Sequence, residues 1–107
     1  MSPNKRKLKI GIVGCGAIGS RLAEAIIKDF KDKTDLTGLY DTNLEKAYEL
    51  ASRLEKKNIV ALSLEDLIKR CIFVIEATSA TASREIAKTA IEAGRDIMIM
   101  SVGGKNR

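Results

Sequence analysis

Three glycines near the start of the chain have the spacing of a loop that binds a diphosphate. Gly14, Gly16 and Gly19 follow a short apolar run and precede a helical pattern. In a G-x-G-x-x-G loop the first glycine permits a tight turn, the second lets the diphosphate approach the backbone, and the third brings the helix close to the sheet. The helix N-terminus adds free N–H groups and partial positive charge. The other loop residues that we expect beside a dinucleotide are Cys15, Ala17 and Ile18.

An acidic residue downstream supplies a second, independent signal. Asp41 follows a predicted strand and lies close to the interval of about 20 residues expected for an acid that binds ribose. A carboxylate here accepts hydrogen bonds from both hydroxyls of an adenosine ribose and repels a 2′-phosphate, which favours NAD over NADP. We expect Thr42 beside the same cofactor, and Lys46, one helical turn on, could soften the preference. The alternative role of Asp41 is to stabilise a turn or cap a helix.

Small and hydroxyl-bearing residues follow two later predicted strands. Ala77, Thr78 and Ser79 come after the fourth. Ligands of doubly wound sheets bind at the carboxyl ends of the strands, where small residues admit the cofactor and hydroxyls can donate to its oxygens. Ser79 alternatively caps the next helix, and Ser101, which follows the fifth strand, lies near the nicotinamide or is a simple turn residue. Glu76 closes an apolar strand; it faces solvent or bonds to nearby backbone N–H groups, and we do not expect it to be catalytic.

The elements that must position these residues alternate between strand and helix. Predicted strands cover residues 7–13, 35–40, 59–62, 71–76 and 96–100, and predicted helices cover 18–30, 44–56, 64–69 and 80–93. Right-handed crossovers wind such a chain into a Rossmann-type doubly wound parallel sheet. We expect an α/β fold of three layers (αβα) with five strands in the order 3-2-1-4-5. The apolar run at 97–100 predicts a last strand covered by helices on both faces.

Local patterns predict how two of the helices lie and begin. Apolar residues at helical spacing predict the buried stripe of the first helix, which consists of Ile18, Leu22, Ala25, Ile26 and Phe30. The segment from Thr42 to Glu45 has the form of a capping box and predicts the start of the second helix. Ser63 is expected to cap the third helix.

Length and composition are those of one soluble globular domain spanning residues 1–107. Hydrophobic residues make up 45% of the chain. No apolar run approaches the roughly 20 residues of a membrane span and no signal-peptide pattern is present, so we expect a cytoplasmic protein without membrane contact. The net charge of +5 is partly carried by basic residues near both ends. Aromatic residues make up only 4%, so there is no evident stacking platform and we expect no nucleic-acid partner.

The chain lacks histidine, the side chain that enzymes most often use for acid–base catalysis. This absence excludes histidine-based catalysis and histidine metal ligation within these residues. Two cysteines are too few for a disulfide framework or a metal site, and we expect Cys15 and Cys71 to be reduced and structural. The alternative for Cys15 is a redox-active thiol, because a helix N-terminus lowers thiol pKa. We therefore predict no catalytic residue and no metal ligand.

Several of these segments together resemble one dehydrogenase family. They are the glycine loop from Gly11 to Gly19, Tyr40-Asp41, the run Val74-Ile75-Glu76-Ala77-Thr78-Ser79, and the run from Ile97 to Gly103. Over residues 8–104 the chain resembles the N-terminal NAD(P)-binding domain of L-aspartate dehydrogenases, which are related to homoserine dehydrogenases. The resemblance implies a homodimeric enzyme that oxidises L-aspartate to iminoaspartate, which hydrolyses to oxaloacetate and ammonia or feeds pyridine nucleotide synthesis.

The resemblance also implies that part of the enzyme is missing from this chain. The family's catalytic histidine and substrate-binding residues belong to a C-terminal domain, so none can be assigned here. We expect the N-terminal cofactor domain of a longer dehydrogenase, inactive alone. The alternatives are a stand-alone dinucleotide-binding or sensing module, and an enzyme that acts on homoserine or a sugar-type alcohol.

Overall fold

Four parallel strands form one sheet in the computed structural model, which describes residues 6–100. The strands are β1 (Leu8–Val13), β2 (Thr34–Tyr40), β3 (Phe73–Glu76) and β4 (Asp96–Ile99). The helices are α1 (Ala17–Asp29), α2 (Leu44–Arg53), α3 (Leu64–Arg70) and α4 (Ala80–Glu92), with a short 3₁₀ turn at Lys57–Ile59. The strand order is β2-β1-β3-β4, and all three pairings are parallel. The prediction of an α/β, Rossmann-like parallel sheet is confirmed.

The predicted third strand, at residues 59–62, is wrong. This segment makes a single parallel bridge, between Leu39 and Val60, and Ala61 N–H donates to the carbonyl of Leu39 at 2.8 Å. The 3₁₀ turn occupies the residues before the bridge, and Ser63 already caps α3 after it, so too few residues remain extended to form a ladder. The bridge lies outside β2, where the order 3-2-1-4-5 expects the third strand, but the sheet has four strands rather than five.

Alternating side chains of β1 divide the core into two clusters, one on each face of the sheet. Ile10 and Ile12 contact residues of α1 and α2, whereas Val13 contacts residues of α3 and α4. The first cluster contains Ala23, Ile26, Leu36, Ala47, Leu50 and Ile75. The second contains Ala61, Leu67, Ile68, Cys71, Val74, Ile86 and Ala90. Helices therefore cover both faces, as expected for a parallel sheet.

A bulge in β2 brings the strand ends level. Ile10 pairs with Leu36 but Gly11 pairs with Gly38, so Thr37 is left without a partner in the ladder. Its hydroxyl donates to the carbonyl of Arg70 at 2.7 Å, which ties β2 to the end of α3. After the bulge, Val13 is in register with both Tyr40 and Glu76. The three strands therefore end at one edge of the sheet, and the loops after them meet there.

The last strand is more exposed than its apolar sequence predicts. Ile97 contacts the cluster of α3 and α4, but Met98 and Ile99 are 46% and 49% exposed. Only α4 lies against β4 to a substantial extent, and within residues 6–100 no helix follows β4 to cover its other face. The prediction that helices cover this strand on both faces is therefore wrong for the described residues.

Two local predictions for the helices also need correction. Ile18 and Phe30 are 50% and 53% exposed, and the buried residues of α1 are Gly19, Ala23 and Ile26. The N-cap of α2 is Asn43, whose Oδ1 accepts the N–H of Glu45 at 3.1 Å, so the capping box from Thr42 is wrong. The cap of α3 is confirmed, because Ser63 Oγ accepts the N–H of Asp66 at 3.0 Å. In residues 6–100, no helix has the length and apolarity that crossing a bilayer requires.

Candidate functional site

A cleft of about 590 Å³ opens where the loops after β1, β2 and β3 meet. Its size is within the range of small-molecule and cofactor sites. It contains seven of the residues predicted from the sequence to contact a cofactor, which are Gly14, Gly16, Asp41, Thr42, Ala77, Thr78 and Ser79. The remaining lining residues are Val13, Tyr40, Lys46, Leu64, Ala82, Glu85 and Ile86. The topology therefore brings the glycine loop, the acid after β2 and the small residues after β3 to one place.

Gly14 and Gly19 hold α1 tightly against the sheet. Gly14 has a φ of +101°, which L side chains rarely adopt, and its N–H donates to the carbonyl of Tyr40 at 2.7 Å. A Cβ on Gly14 would lie 2.7 Å from the carbonyl oxygen of Ala77. A Cβ on Gly19 would lie 1.8 Å from the carbonyl oxygen of Gly14. These two glycines therefore perform the mechanical roles that the G-x-G-x-x-G spacing predicts.

Gly16 has open space around it, and the start of α1 offers free donors. A Cβ on Gly16 would meet no atom within 4 Å, so a ligand could approach the backbone there. Gly16 is the N-cap of α1 and supplies no side-chain cap. Within residues 6–100, the N–H groups of Gly16, Ala17 and Ile18 form no hydrogen bond, whereas that of Ser20 donates to the carbonyl of Gly16 at 2.9 Å. Three adjacent N–H groups at a helix N-terminus form a site suited to a diphosphate.

Asp41 is bound to the backbone on both sides of the cleft entrance. Its Oδ2 accepts the N–H of Cys15 at 2.8 Å, and its Oδ1 accepts the N–H of Asn43 at 2.8 Å. The carboxylate thus joins the glycine loop to the turn after β2, so the structural role proposed as an alternative for Asp41 is real. A carboxylate has about four acceptor positions, and two of them remain for the hydroxyls of a ribose. The two roles of Asp41 are therefore compatible.

The thiol of Cys15 is poorly suited to redox chemistry. Cys15 is 6% exposed, and its Sγ lies 3.7 Å from the carbonyl of Tyr40. Burial, together with the nearby negative charge of Asp41, raises the pKa of Cys15 from 9.0 to about 12, against a smaller opposing effect of Lys46. The reactive species is the thiolate, which is scarce at neutral pH when the pKa is this high. The structure therefore supports the structural role of Cys15 over the redox-active alternative.

The loop after β3 is anchored by a buried acid. Glu76 is fully buried, and its Oε2 accepts the N–H of Thr78 at 2.6 Å and also the hydroxyl of Thr78. Of the two alternatives for Glu76, bonding to nearby backbone N–H groups is therefore the correct one. The hydroxyl hydrogen of Thr78 is engaged here, which leaves only acceptor positions for a cofactor. Ser79 is the N-cap of α4 but forms no side-chain cap, and its Oγ lies 2.9 Å from the Oγ1 of Thr81.

A second cleft, of about 500 Å³, adjoins the outer side of the glycine loop. It is lined by Cys15, Gly16 and Ala17 of the loop and by charged residues of α1 and α2, which are Arg21, Glu24, Lys46, Glu49 and Arg53. Lys46 lines both clefts and therefore lies between them. Arg53 Nη2 donates to the Oγ of Ser20 at 3.2 Å and links the two helices. A cation that lies close to Asp41, such as Lys46, could bind a 2′-phosphate on the ribose.

Sequence reasoning found the polar residues of the site and missed its apolar wall. Three apolar residues of the helices line the main cleft, and they are Leu64 of α3 and Ala82 and Ile86 of α4. Helix α3 begins shortly after the bridge at Val60, and α4 begins shortly after β3. The available signal is the apolar character of these three positions, which fall in the first turn of α3 and the first two turns of α4. Ile18 and Gly19 line neither cleft, although both belong to the loop. Ser101 lies outside the described residues, so its predicted role stays a prediction.

Comparisons with known proteins agree with this geometry. The family model described as "Homoserine dehydrogenase, NAD binding domain" matches residues 14–105. The chain is 42% identical over 96 residues to an L-aspartate dehydrogenase of Methanosarcina barkeri, and the match covers 90% of this chain and 35% of that protein. It is 39% identical over 97 residues to an L-aspartate dehydrogenase of Methanococcus maripaludis, covering 90% and 36%. The resemblance to L-aspartate dehydrogenases noted in the sequence is therefore confirmed.

A solved structure of a protein in complex with NAD shares the fold of this chain. The crystal structure of GenD2 from gentamicin A biosynthesis in complex with NAD superposes with a TM-score of 0.78 at 28% identity, covering 88% of this chain and 26% of that one. The chain spans about a third of the length of the curated relatives that it matches. The family model covers most of the chain, including the glycine loop, Asp41 and the loop after β3. The chain therefore belongs to the homoserine dehydrogenase NAD-binding domain family and is an NAD-binding domain with a Rossmann-like sheet.

Proposed function

We propose that this chain is the NAD(P)-binding domain of an enzyme that oxidises L-aspartate to iminoaspartate, which yields oxaloacetate and ammonia on hydrolysis. Two neighbouring features carry the proposal. Within residues 6–100, the N–H groups of Gly16, Ala17 and Ile18 at the start of α1 form no hydrogen bond, and the N–H of Cys15 beside them donates to the carboxylate of Asp41. We infer the substrate from the relatives at about 40% identity, which are L-aspartate dehydrogenases. Since the chain spans only about a third of those relatives, the activity belongs to a longer protein.

The residues of the cleft suit the three parts of a dinucleotide. The N–H groups of Gly16, Ala17 and Ile18 would hold the diphosphate, and the open space at Gly16 would admit it. Asp41 would accept hydrogen bonds from the adenosine ribose. The apolar wall of the cleft would take the adenine, and it consists of Leu64, Ala82 and Ile86. Ala77 and the hydroxyls of Ser79 and Ser101 would line the path toward the nicotinamide.

The part of this domain in catalysis is to orient the cofactor. When bound, NAD supplies the acceptor for the hydride that leaves the α-carbon of the substrate. The domain's own contribution is to hold the dinucleotide at its diphosphate and at its adenosine ribose, which lowers the entropic cost of bringing the reactants together. Substrate-binding and acid–base residues come from a C-terminal domain in this proposal, and the whole enzyme is a cytoplasmic homodimer.

The balance of charge beside the ribose site supports use of NADP as well as NAD. Asp41 disfavours a 2′-phosphate, but both of its oxygens already accept backbone N–H groups, which offset part of its charge. Lys46 lies between the two clefts and could pair with a 2′-phosphate from the adjoining one. We therefore expect NAD to bind more tightly and NADP to bind measurably.

The proposal is tested on the longer protein encoded by the reading frame that contains this chain. Purified protein is assayed for NADH formation with L-aspartate and, separately, with L-homoserine, because the matching family model is named for homoserine dehydrogenase. We expect turnover with aspartate and at least about a hundredfold lower kcat/KM with homoserine, which corresponds to about 3 kcal/mol of discrimination. A higher kcat/KM with L-homoserine than with L-aspartate would contradict the assignment of L-aspartate as the substrate. A reading frame that closes at Arg107, with no partner subunit, would favour a stand-alone dinucleotide-binding module instead.

A further inference from the structure

A third cleft, with a strong positive charge, lies at the opposite edge of the sheet from the candidate NAD site. It is a cleft of about 590 Å³ at the start of β1, β3 and β4, which we call the basic cleft. It is lined by six cations, one acid and two other residues, and these are Arg6, Lys7, Lys9, Lys69, Arg70, Arg95, Asp35, Cys71 and Ile72. The candidate NAD site uses none of these residues.

The charge of the chain is concentrated in this cleft. The lining has an excess of five cations over acids, and the formal net charge of the whole chain is +5. The rest of the chain is therefore balanced in formal charge. A concave surface lined with one sign of charge focuses the electrostatic potential and raises the local concentration of oppositely charged ligands.

The acid within the basic cleft does not neutralise its free lysines. Asp35 pairs with Lys56, outside the cleft, at 3.8 Å. Arg70 is paired in its turn with Asp66, at 3.2 Å. Within residues 6–100, the side-chain ammonium groups of Lys7, Lys9 and Lys69 form no hydrogen bond and no ion pair. The cleft therefore presents unpaired positive charge.

Arg95 is held in place by backbone carbonyls while part of its guanidinium stays available. Its Nε donates to the carbonyl of Ile68 at 3.0 Å, and its Nη1 donates to the carbonyl of Ala93 at 2.9 Å. Its Nη2 donates to no acceptor within the described part of the chain. A guanidinium whose orientation is already fixed loses little side-chain entropy on binding an anion. Arg95 is thus a preorganised donor at the wall of the cleft.

We propose that the basic cleft binds a small, multiply phosphorylated molecule. The volume is that of a small-molecule site, and the arginine donors suit phosphate oxygens. Extended nucleic acid is disfavoured as the ligand, because the lining contains no aromatic side chain on which bases could stack. The exposed side chain of Ile72 offers a limited apolar contact beside the charges, which suits a compact anion with a small organic part.

The proposed ligand and NAD occupy opposite ends of β1. The glycine loop follows Val13, whereas Lys7 and Lys9 lie at the beginning of the strand. A strand of 6 residues spans roughly 20 Å at about 3.3 Å per residue. The two ligands therefore do not contact each other, and binding of one leaves room for the other.

The test is titration calorimetry with inorganic tripolyphosphate and, separately, with ATP, on the chain saturated with NAD so that ATP cannot occupy the main cleft. We expect both to bind with one site per chain, and we expect a double variant, Lys9→Ala with Lys69→Ala, to weaken binding at least about tenfold. A matched control, Lys28→Ala with Lys88→Ala, removes the same charge from exposed positions outside the cleft and should change affinity less than about twofold. Tighter binding of ATP than of tripolyphosphate identifies an organic phosphate ester as the preferred form, and the reverse identifies a phosphate chain.

Two further measurements distinguish specific binding in the basic cleft from non-specific electrostatic attraction and from binding in the NAD site. Arg95→Lys keeps the charge but loses the planar fork, and we expect it to weaken tripolyphosphate binding at least about threefold. Saturation with NAD should leave tripolyphosphate affinity unchanged. Equal losses in the control double variant, displacement of tripolyphosphate by NAD, or tighter binding of a short single-stranded RNA through the same lysines would each overturn the proposal.

Discussion

The backbone N–H of Cys15 donates to Oδ2 of Asp41 at 2.8 Å, although the two residues are 26 positions apart in the chain. This bond joins the loop that would hold the diphosphate to the acid that would hold the ribose. A second bond, from Asn43 N–H to Oδ1 of Asp41 at 2.8 Å, fixes the other oxygen. The two contact points for a dinucleotide are therefore positioned relative to each other before any ligand binds.

Replacing Asp41 should damage folding and cofactor binding together. Asp41→Ala leaves two backbone donors without their acceptor, and hydrogen bonds to charged groups contribute about 1.5–3 kcal/mol each. We expect the free energy of unfolding to fall by about 2–3 kcal/mol in urea titrations. At a temperature where the variant remains folded, we expect NAD affinity by calorimetry to fall at least about tenfold. Asp32→Ala removes an exposed acid far from the cleft and serves as the control; unchanged NAD affinity in Asp41→Ala would contradict the ribose role.

Substitutions of two glycines in the loop should have separate effects, one on the stability of the fold and the other on the binding of NAD. In Gly19→Ala the new methyl group would meet the carbonyl oxygen of Gly14 at 1.8 Å, so α1 must move and stability should fall by about 3 kcal/mol or more. In Gly16→Ala the methyl group enters open space at a φ of −84°, so stability should change by less than about 1 kcal/mol. The same methyl group obstructs the approach of a diphosphate.

Thermal unfolding followed by NAD titration checks this pair of variants. We expect Gly16→Ala to unfold near the temperature of the unmodified chain and to bind NAD at least about tenfold more weakly. A Gly16→Ala variant that binds NAD normally would show that the diphosphate does not lie over this backbone. A Gly19→Ala variant as stable as the parent would contradict the close contact of α1 with β1.

Lys46 should matter more for NADP than for NAD. The side chain lies between the two clefts, and an ammonium group close to a 2′-phosphate adds about 1 kcal/mol in a partly exposed setting. We expect Lys46→Gln to weaken NADP binding about fivefold and to leave NAD binding within about twofold. Calorimetry with both nucleotides measures the two effects on one protein sample. An equal loss of affinity for NAD and for NADP would show that Lys46 does not bind the 2′-phosphate.

Cys15 should make the domain less stable at alkaline pH. Burial raises the pKa of its thiol from 9.0 to about 12, so between these values the unfolded chain ionises while the folded chain stays neutral. The contribution of Cys15 is fully present below about pH 9 and is lost as the pH rises toward about 12. We expect urea midpoints to fall more steeply from about pH 9 upward, toward about pH 12, for the parent than for Cys15→Ala. Rapid alkylation of Cys15 in the folded chain at about pH 8 would show instead that the thiolate is accessible.

The glycine loop and Asp41 could be predicted because their chemistry is local. The spacing of the glycines specifies a turn, an open backbone position and a close contact, and each is present in the structure. The apolar wall of the cleft could not be predicted in the same way. Leu64 and Ile86 meet only because α3 and α4 are brought to the same end of the sheet, which no short segment specifies.

The errors in the predicted fold have the same origin. The segment 59–62 is apolar enough for a strand, but the 3₁₀ turn before it and the cap of α3 after it leave only one bridge to β2. The spacing alone predicts the stripe of α1, whereas the face that meets the sheet consists of Gly19, Ala23 and Ile26. Ile18 lies to one side of this face, and Phe30 follows the last residue of the helix, so both are half-exposed. Bonding of Glu76 to nearby backbone N–H groups is one of the two alternatives that the sequence leaves open, and only the loop geometry, in which Glu76 accepts the N–H of Thr78, selects it.

The central claim is that the start of α1 and Asp41 together hold a dinucleotide, and amide chemical shifts on titration with NAD test it most directly. We predict that the largest shifts in a two-dimensional ¹⁵N–¹H NMR spectrum fall on Gly16, Ala17, Ile18 and Thr42. Amides at the opposite edge, such as those of Lys9 and Arg95, should remain unchanged. Shifts confined to that opposite edge, or no saturable shift in the glycine loop, would contradict the account.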